Sequence, residues 1–105
     1  MTRCRVVVTA AAEEDVRDIA DYISSDNGIA ARRFGAEFTL ATERIAEFPG
    51  TGHPLLESDR TILGTRISSR FSHYTMVYRR DDASTVRVLR VIHSARDIQA
   101  ILAEL

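Results

Sequence analysis

Apolar side chains return every three or four positions early in the chain, at Ala12, Val16, Ile19, Ala20 and Ile23. This spacing predicts an amphipathic helix. Thr9 is its expected N-cap, and Glu13, Glu14 and Asp15 sit where the positive end of the helix dipole favours acids. Asn27-Gly28 reads as a stop, because both residue types tolerate the left-handed conformation that ends helices. A second helix is expected from about Ile29 to Phe48, with Phe34, Phe38, Ala41, Ile45 and Phe48 on one face. Two such helices joined by so short a link predict an antiparallel hairpin.

The pattern changes on either side of this hairpin. Arg3 to Thr9, with Val6, Val7 and Val8 in succession, predicts a short strand. Pro49-Gly50-Thr51-Gly52-His53-Pro54 breaks the second helix and reads as loop. Leu63 to Ser68, His73 to Arg80 and Thr85 to Ile92 are rich in β-branched and aromatic residues, and turn residues separate them, so they predict three strands of an antiparallel meander. Ala95 to Leu105 puts Ile98, Ile101, Leu102 and Leu105 on one face of a short final helix that needs a docking surface to be stable. The expected fold is α+β in a single domain over residues 1–105: an N-terminal strand joining the edge of a small antiparallel sheet, a helical hairpin packed on it, and a short C-terminal helix. Strict alternation along the last strand points Val86, Val88, Arg90 and Ile92 one way and Arg87, Leu89, Val91 and His93 the other. Both faces of that strand then want cover, from the C-terminal helix or from a bound partner.

Composition narrows the class. The chain has 105 residues, 45% of them hydrophobic and 28% charged, enough to bury roughly 65% of its unfolded surface around one core. No apolar run approaches the roughly 20 residues of a membrane-spanning helix, and no signal-peptide hydrophobic region opens the chain, so a cytoplasmic protein without membrane association is expected. The lone Cys4 has no disulfide partner and cannot form a zinc site; it reads as a small core residue. His53 and His73 are isolated, and scattered histidines without clustered acids do not make a metal site. The glycines of the loop lack the Gly-Lys-Ser/Thr ending and preceding strand of a phosphate-binding loop. No cofactor is expected.

The formal charge of −1 conceals a division. Residues 10 to 59 carry eleven acids against four arginines, a sum of −7, and residues 60 to 96 carry eight arginines against Asp81 and Asp82, a sum of +6. Such asymmetry suggests an anionic partner for the basic part. All fourteen basic residues are arginine, which stays charged at any relevant pH and does not serve as a lysine base. The cations fall on the meander, which predicts a compact basic surface. Other readings stand beside it: Arg66 and Arg79 pairing with acids from the helices, His93 as a structural hydrogen-bonder, Arg96 and Asp97 as a local ion pair, and Tyr74, Met76 and Tyr78 as core or partner packing.

Taken together, Ala12-Glu13-Glu14-Asp15-Val16, Ile19-Ala20-Asp21-Tyr22-Ile23, Ala31 and Phe34, Ile45 and Phe48-Pro49 with Gly52, Arg66, Tyr74 with Val77-Tyr78-Arg79, and Val88-Leu89-Arg90-Val91-Ile92-His93 with Arg96-Asp97 resemble a ParE toxin of the RelE/ParE superfamily. Their order and spacing run over nearly the whole chain. The resemblance implies a toxin of a type II toxin-antitoxin system, neutralised by a ParD-like ribbon-helix-helix antitoxin, with operator DNA bound only through that antitoxin. Two activities occur on this fold: inhibition of DNA gyrase by contact, and RelE-like ribosome-dependent cleavage of mRNA. Cleavage needs a base, an acid and cations for the developing phosphate charge. Ribonuclease members use lysines, or a glutamate with a histidine-tyrosine pair, whereas this chain has no lysine and follows His93 with Ser94 and Ala95. The gyrase reading is therefore preferred, with no catalytic residues. Arg66, Arg79, Arg90 and His93 are the candidates if the chain is a ribonuclease, and Arg66, Tyr78, Arg79, Arg90, His93 and Arg96 are the expected antitoxin- or target-binding residues. A third possibility is an inactive module that only co-represses its operon.

Overall fold

The computed structural model describes residues 3–56, 61–94 and 98–105, Leu56 by its backbone alone. The elements are β1 (Arg5–Val8), α1 (Ala10–Ser24), α2 (Gly28–Glu47), β2 (His53–Leu56), β3 (Ile62–Arg66), β4 (Tyr74–Asp82), β5 (Thr85–His93) and α3 (Ile98–Glu104). The sheet has five strands in the order β1-β5-β4-β3-β2. The meander is antiparallel as expected, but β1 lies parallel to β5, with Val6 opposite Val86 and Val8 opposite Val88, so the sheet is mixed. A parallel neighbour requires a long crossover, and the helical hairpin with three strands supplies it.

Capping fixes the helices. The Thr9 hydroxyl accepts from the Ala12 amide at 3.2 Å, as its position predicted. At the next link the expectation is corrected. Asn27 is the N-cap of α2 in extended backbone, its side-chain oxygen accepting from the Ala30 amide at 3.1 Å, and no described residue has a positive φ. The hairpin link turns by capping the following helix instead of by a left-handed residue.

The segment after α2 is not all loop. His53–Leu56 pairs with β3 as a sheet edge, where Pro54 is tolerated because its missing N–H costs a ladder bond only inside a sheet. Gly52 meets the ring of Tyr78 so closely that an added Cβ would lie 2.5 Å from the hydroxyl oxygen. That hydroxyl donates to the Pro49 carbonyl at 2.9 Å and accepts from the Gly52 amide at 3.0 Å. The break after α2 is thus stapled to the middle of β4.

The hairpin covers one sheet face. Ala12, Phe34, Ala41, Ile45, Met76, Tyr78, Val86, Val88 and Val91 form a buried cluster there, with Val16, Ile19 and Ile23 packed against it. The second face carries Ile62, Val77, Leu89 and Ile92, and α3 lays Ile101 over them. The C-terminal helix is therefore the cover that the two-sided strand required. Phe48, expected on the buried face of α2, is instead 51% exposed.

Strict alternation along β5 does not hold. Val88 pairs with Tyr78 and Arg90 with Val77, so Leu89 is an extra residue on β5. This β-bulge puts Val91 with Val86 and Val88 toward the hairpin, and Ile92 with Leu89 toward α3.

Two substitutions check the staple. Tyr78→Phe leaves a half-buried carbonyl and amide without their partner and is expected to cost about 1–2 kcal/mol in urea unfolding. Gly52→Ala forces its methyl against a rigid buried ring and is expected to cost about 1–3 kcal/mol.

Candidate functional site

The structure distributes the meander arginines differently from the single patch anticipated. Arg79 and Arg87 face each other across β4 and β5, an arrangement that repels unless a counter-charge lies between. Asp81 supplies it: its two oxygens accept from Arg79 Nε at 2.9 Å and Arg87 Nε at 2.7 Å. Hydrogen bonds from Arg79 and then Arg87 hold the Asp81 carboxyl below its ordinary value of 3.8. Asp82 is lowered too, chiefly by the Ser84 amide, which donates to it at 2.8 Å across the turn.

Arg90 is held more firmly. Asp15 of α1 takes its guanidinium in two bonds, Nε to Oδ2 at 2.7 Å and a terminal nitrogen to Oδ1 at 2.9 Å, and also accepts the Val91 amide at 2.9 Å. Glu104 of α3 adds a third contact to Arg90 at 3.2 Å. The bulge explains the location, since it disturbs the ladder at Leu89 and Arg90. There Thr9 donates its hydroxyl to the Leu89 carbonyl at 3.1 Å and its amide to the Val88 carbonyl at 3.1 Å. Helix α1 thus repairs the backbone that the bulge unpairs.

His93 closes β5 in a row of rings. It stacks on His73 with centroids 6.1 Å apart and planes 4° from parallel, and it meets Tyr74 edge-on at 5.6 Å; Tyr74 in turn contacts Phe34. Beside it a groove of about 410 Å³ runs between α1, β5 and α3, with Asp18, Tyr22, Tyr74 and His93 on its walls. A second groove of about 470 Å³ opens where the end of α2 meets β2 and β3, bordered by Arg44, Phe48, His53 and Arg66.

The expected contact set therefore divides. Tyr78 is fully buried; burial raises its pKa, and it serves the core, not a binding surface. Arg79 and Arg90 are engaged by carboxylates of their own chain, so the open patch converging from the meander is corrected to local ion pairs. Arg66 is exposed at the end of β3. Arg96 lies outside the described residues. Two residues were missed. Arg44 donates to the Arg66 carbonyl at 2.8 Å. The position of Asp15 in the first turns of α1 suggests a dipole-compensating acid, yet it stands three residues after Ala12 and four before Ile19, on the apolar stripe. An acid there needs a buried cation partner, and that was the available signal.

No group of three His, Cys, Asp or Glu among the described residues is placed to hold a metal ion. No helix among them is long and apolar enough to cross a membrane.

A helical hairpin on a five-stranded mixed sheet, closed by a short C-terminal helix, defines the RelE/ParE-like class of fold. A solved structure of this shape is the toxin-antitoxin complex RelBE2 from Mycobacterium tuberculosis, with a TM-score of 0.52 and 24% identity over 89% of this chain and 93% of that one. The sequence matches the family described as ParE toxin of type II toxin-antitoxin system, parDE, over residues 6–98, and the chain belongs to that family. None of the curated proteins matches it.

Asp15→Ala is expected to destabilise the fold by roughly 2–3 kcal/mol in denaturant unfolding. This is less than a fully buried pair would lose, because the Arg90 side chain is 26% exposed. Asp81 sets a pH dependence. With its folded pKa below the unfolded value, its contribution is complete above the ordinary carboxylate range and declines as pH falls through that range toward the lowered value. Thermal unfolding of wild type and Asp81→Asn should differ at neutral pH, and the difference should shrink on acidification.

Proposed function

We propose that this ParE-family toxin acts by binding DNA gyrase, without breaking bonds in a nucleic acid, and that a ParD-like ribbon-helix-helix antitoxin holds it inactive and carries the pair to operator DNA. The observation supporting this reading is the commitment of the sheet arginines. Cleavage of RNA by side chains requires a base, an acid and cations poised for phosphate. Arg79 and Arg90, two of the three candidate cations for that chemistry, already neutralise Asp81 and Asp15. His93 sits among the rings of His73 and Tyr74. A surface so committed favours shape and side-chain recognition over phosphoryl chemistry.

Purified toxin titrated into a gyrase supercoiling reaction should leave plasmid relaxed in proportion to dose, and antitoxin should restore supercoiling. Full supercoiling at saturating toxin, together with new primer-extension stops on translated mRNA that vanish in an Arg66→Ala, His93→Ala variant, would assign the ribosome-dependent activity instead. Normal growth on expression without antitoxin would leave the inactive co-repressor.

A further inference from the structure

Helix α2 carries two seams. One faces the core through Phe34, Ala41 and Ile45. The other runs through Ile29, Arg33, Ala36, Leu40, Glu43 and Glu47, spaced by four, three, four, three and four residues and exposed at every position. Such spacing keeps these side chains on one side of a helix about 30 Å long. Of the five large apolar side chains exposed among the described residues, three belong to this helix or its C-cap: Ile29 at 64%, Leu40 at 56% and Phe48. Charge is graded along the same face. Arg32 and Arg33 stand in the N-terminal half of the helix, Glu43 and Glu47 in the C-terminal half. Neither arginine meets a carboxylate of its own chain among the described residues. Arg44, the cation of the acidic half, is turned to β3 by its bond to the Arg66 carbonyl.

We propose that this face seats a second copy of the chain, α2 against α2 in antiparallel sense about a two-fold axis between Ala36 and Leu40. That register sets Ala36 of each copy opposite Leu40 of the other, Arg33 opposite Glu43, and Ile29 level with Glu47 and Phe48. A parallel pairing would put arginine on arginine and glutamate on glutamate, so charge selects the antiparallel one. The interface is isologous and closes at two subunits. Ala36 presents only a methyl group, which lets the helix axes approach to the roughly 8–10 Å of packed helices. Charge also chooses between occupants. Arg32, Arg33, Glu43 and Glu47 balance one another, so the face offers an anionic membrane or a nucleic acid no net attraction. Because this seam points away from the sheet, the dimer leaves α3 and the second sheet face of each copy open. A partner that reads those surfaces then meets two of them.

Sedimentation equilibrium of the full-length chain should show a reversible rise from the 11.7 kDa monomer to twice that mass. The rise should be complete or well advanced by about 1 mM, the weak end of specific association. Arg33→Glu and Glu43→Arg should each weaken association by on the order of tenfold or more, because each substitution acts twice across the axis. Glu43 is the acid to reverse, since Glu47 already meets Arg3 at 3.4 Å. An equimolar mixture of the two variants should associate as the unaltered chain does, since every reversed charge then faces its opposite. Leu40→Glu should abolish association while the helical circular dichroism and the unfolding midpoint stay unchanged. A single-chain mass at every concentration, a dimer indifferent to both reversals or to Leu40→Glu, or a mixture no tighter than either variant alone would each overturn the proposal. Recovery in the mixture is a result that neither misfolding nor a general change of net charge produces.

Discussion

The carboxylate of Asp15 is the point on which the structure turns. One side chain from the second turn of α1 receives the Arg90 guanidinium in two bonds and the Val91 amide in a third, at the strand irregularity where the ladder is disturbed. The hairpin's position on the sheet, the burial of Val91 and the site to which Glu104 of α3 reaches all follow from this junction. An apolar residue at position 15 would pack on the stripe equally well, but it would leave the Val91 amide without its acceptor and take from the Arg90 guanidinium its two-bond partner.

The same chemistry governs the electrostatics. Along the chain the charge is strongly segregated, yet in space part of it is paired: an acid of the helical half meets Arg90, and Asp81 of the meander offsets one of the two charges of Arg79 and Arg87. What remains is local rather than a field spread over the sheet.

Most of the fold was legible in the sequence. Helical periodicity located α1 and α2 within a residue or two, Thr9 announced its cap, and the family motifs carried the architecture. What escaped depended on tertiary geometry. A bulge at Leu89 reverses the faces of everything after it, and no two-residue period can show that. The parallel pairing of β1 with β5 is a long-range choice with no local mark. His53–Leu56 holds a proline and follows a glycine-rich break, so nothing local distinguishes an edge strand from loop. The site was less legible than the fold, because a linear count of arginines does not say which of them meet acids. Asp15 escaped too, taken for an acid at the helix dipole, although an acid on an apolar stripe is a local anomaly that carries a signal of the contact.

The pairing of the first strand with the fifth also governs how the molecule comes into being. Val6 has no strand partner until Val86 has been synthesised, so β1 cannot join the sheet before β5 emerges from the ribosome. Contacts of such wide sequence separation are slow to form. The nascent protein accordingly leaves this edge of the sheet unassembled until β5 has emerged.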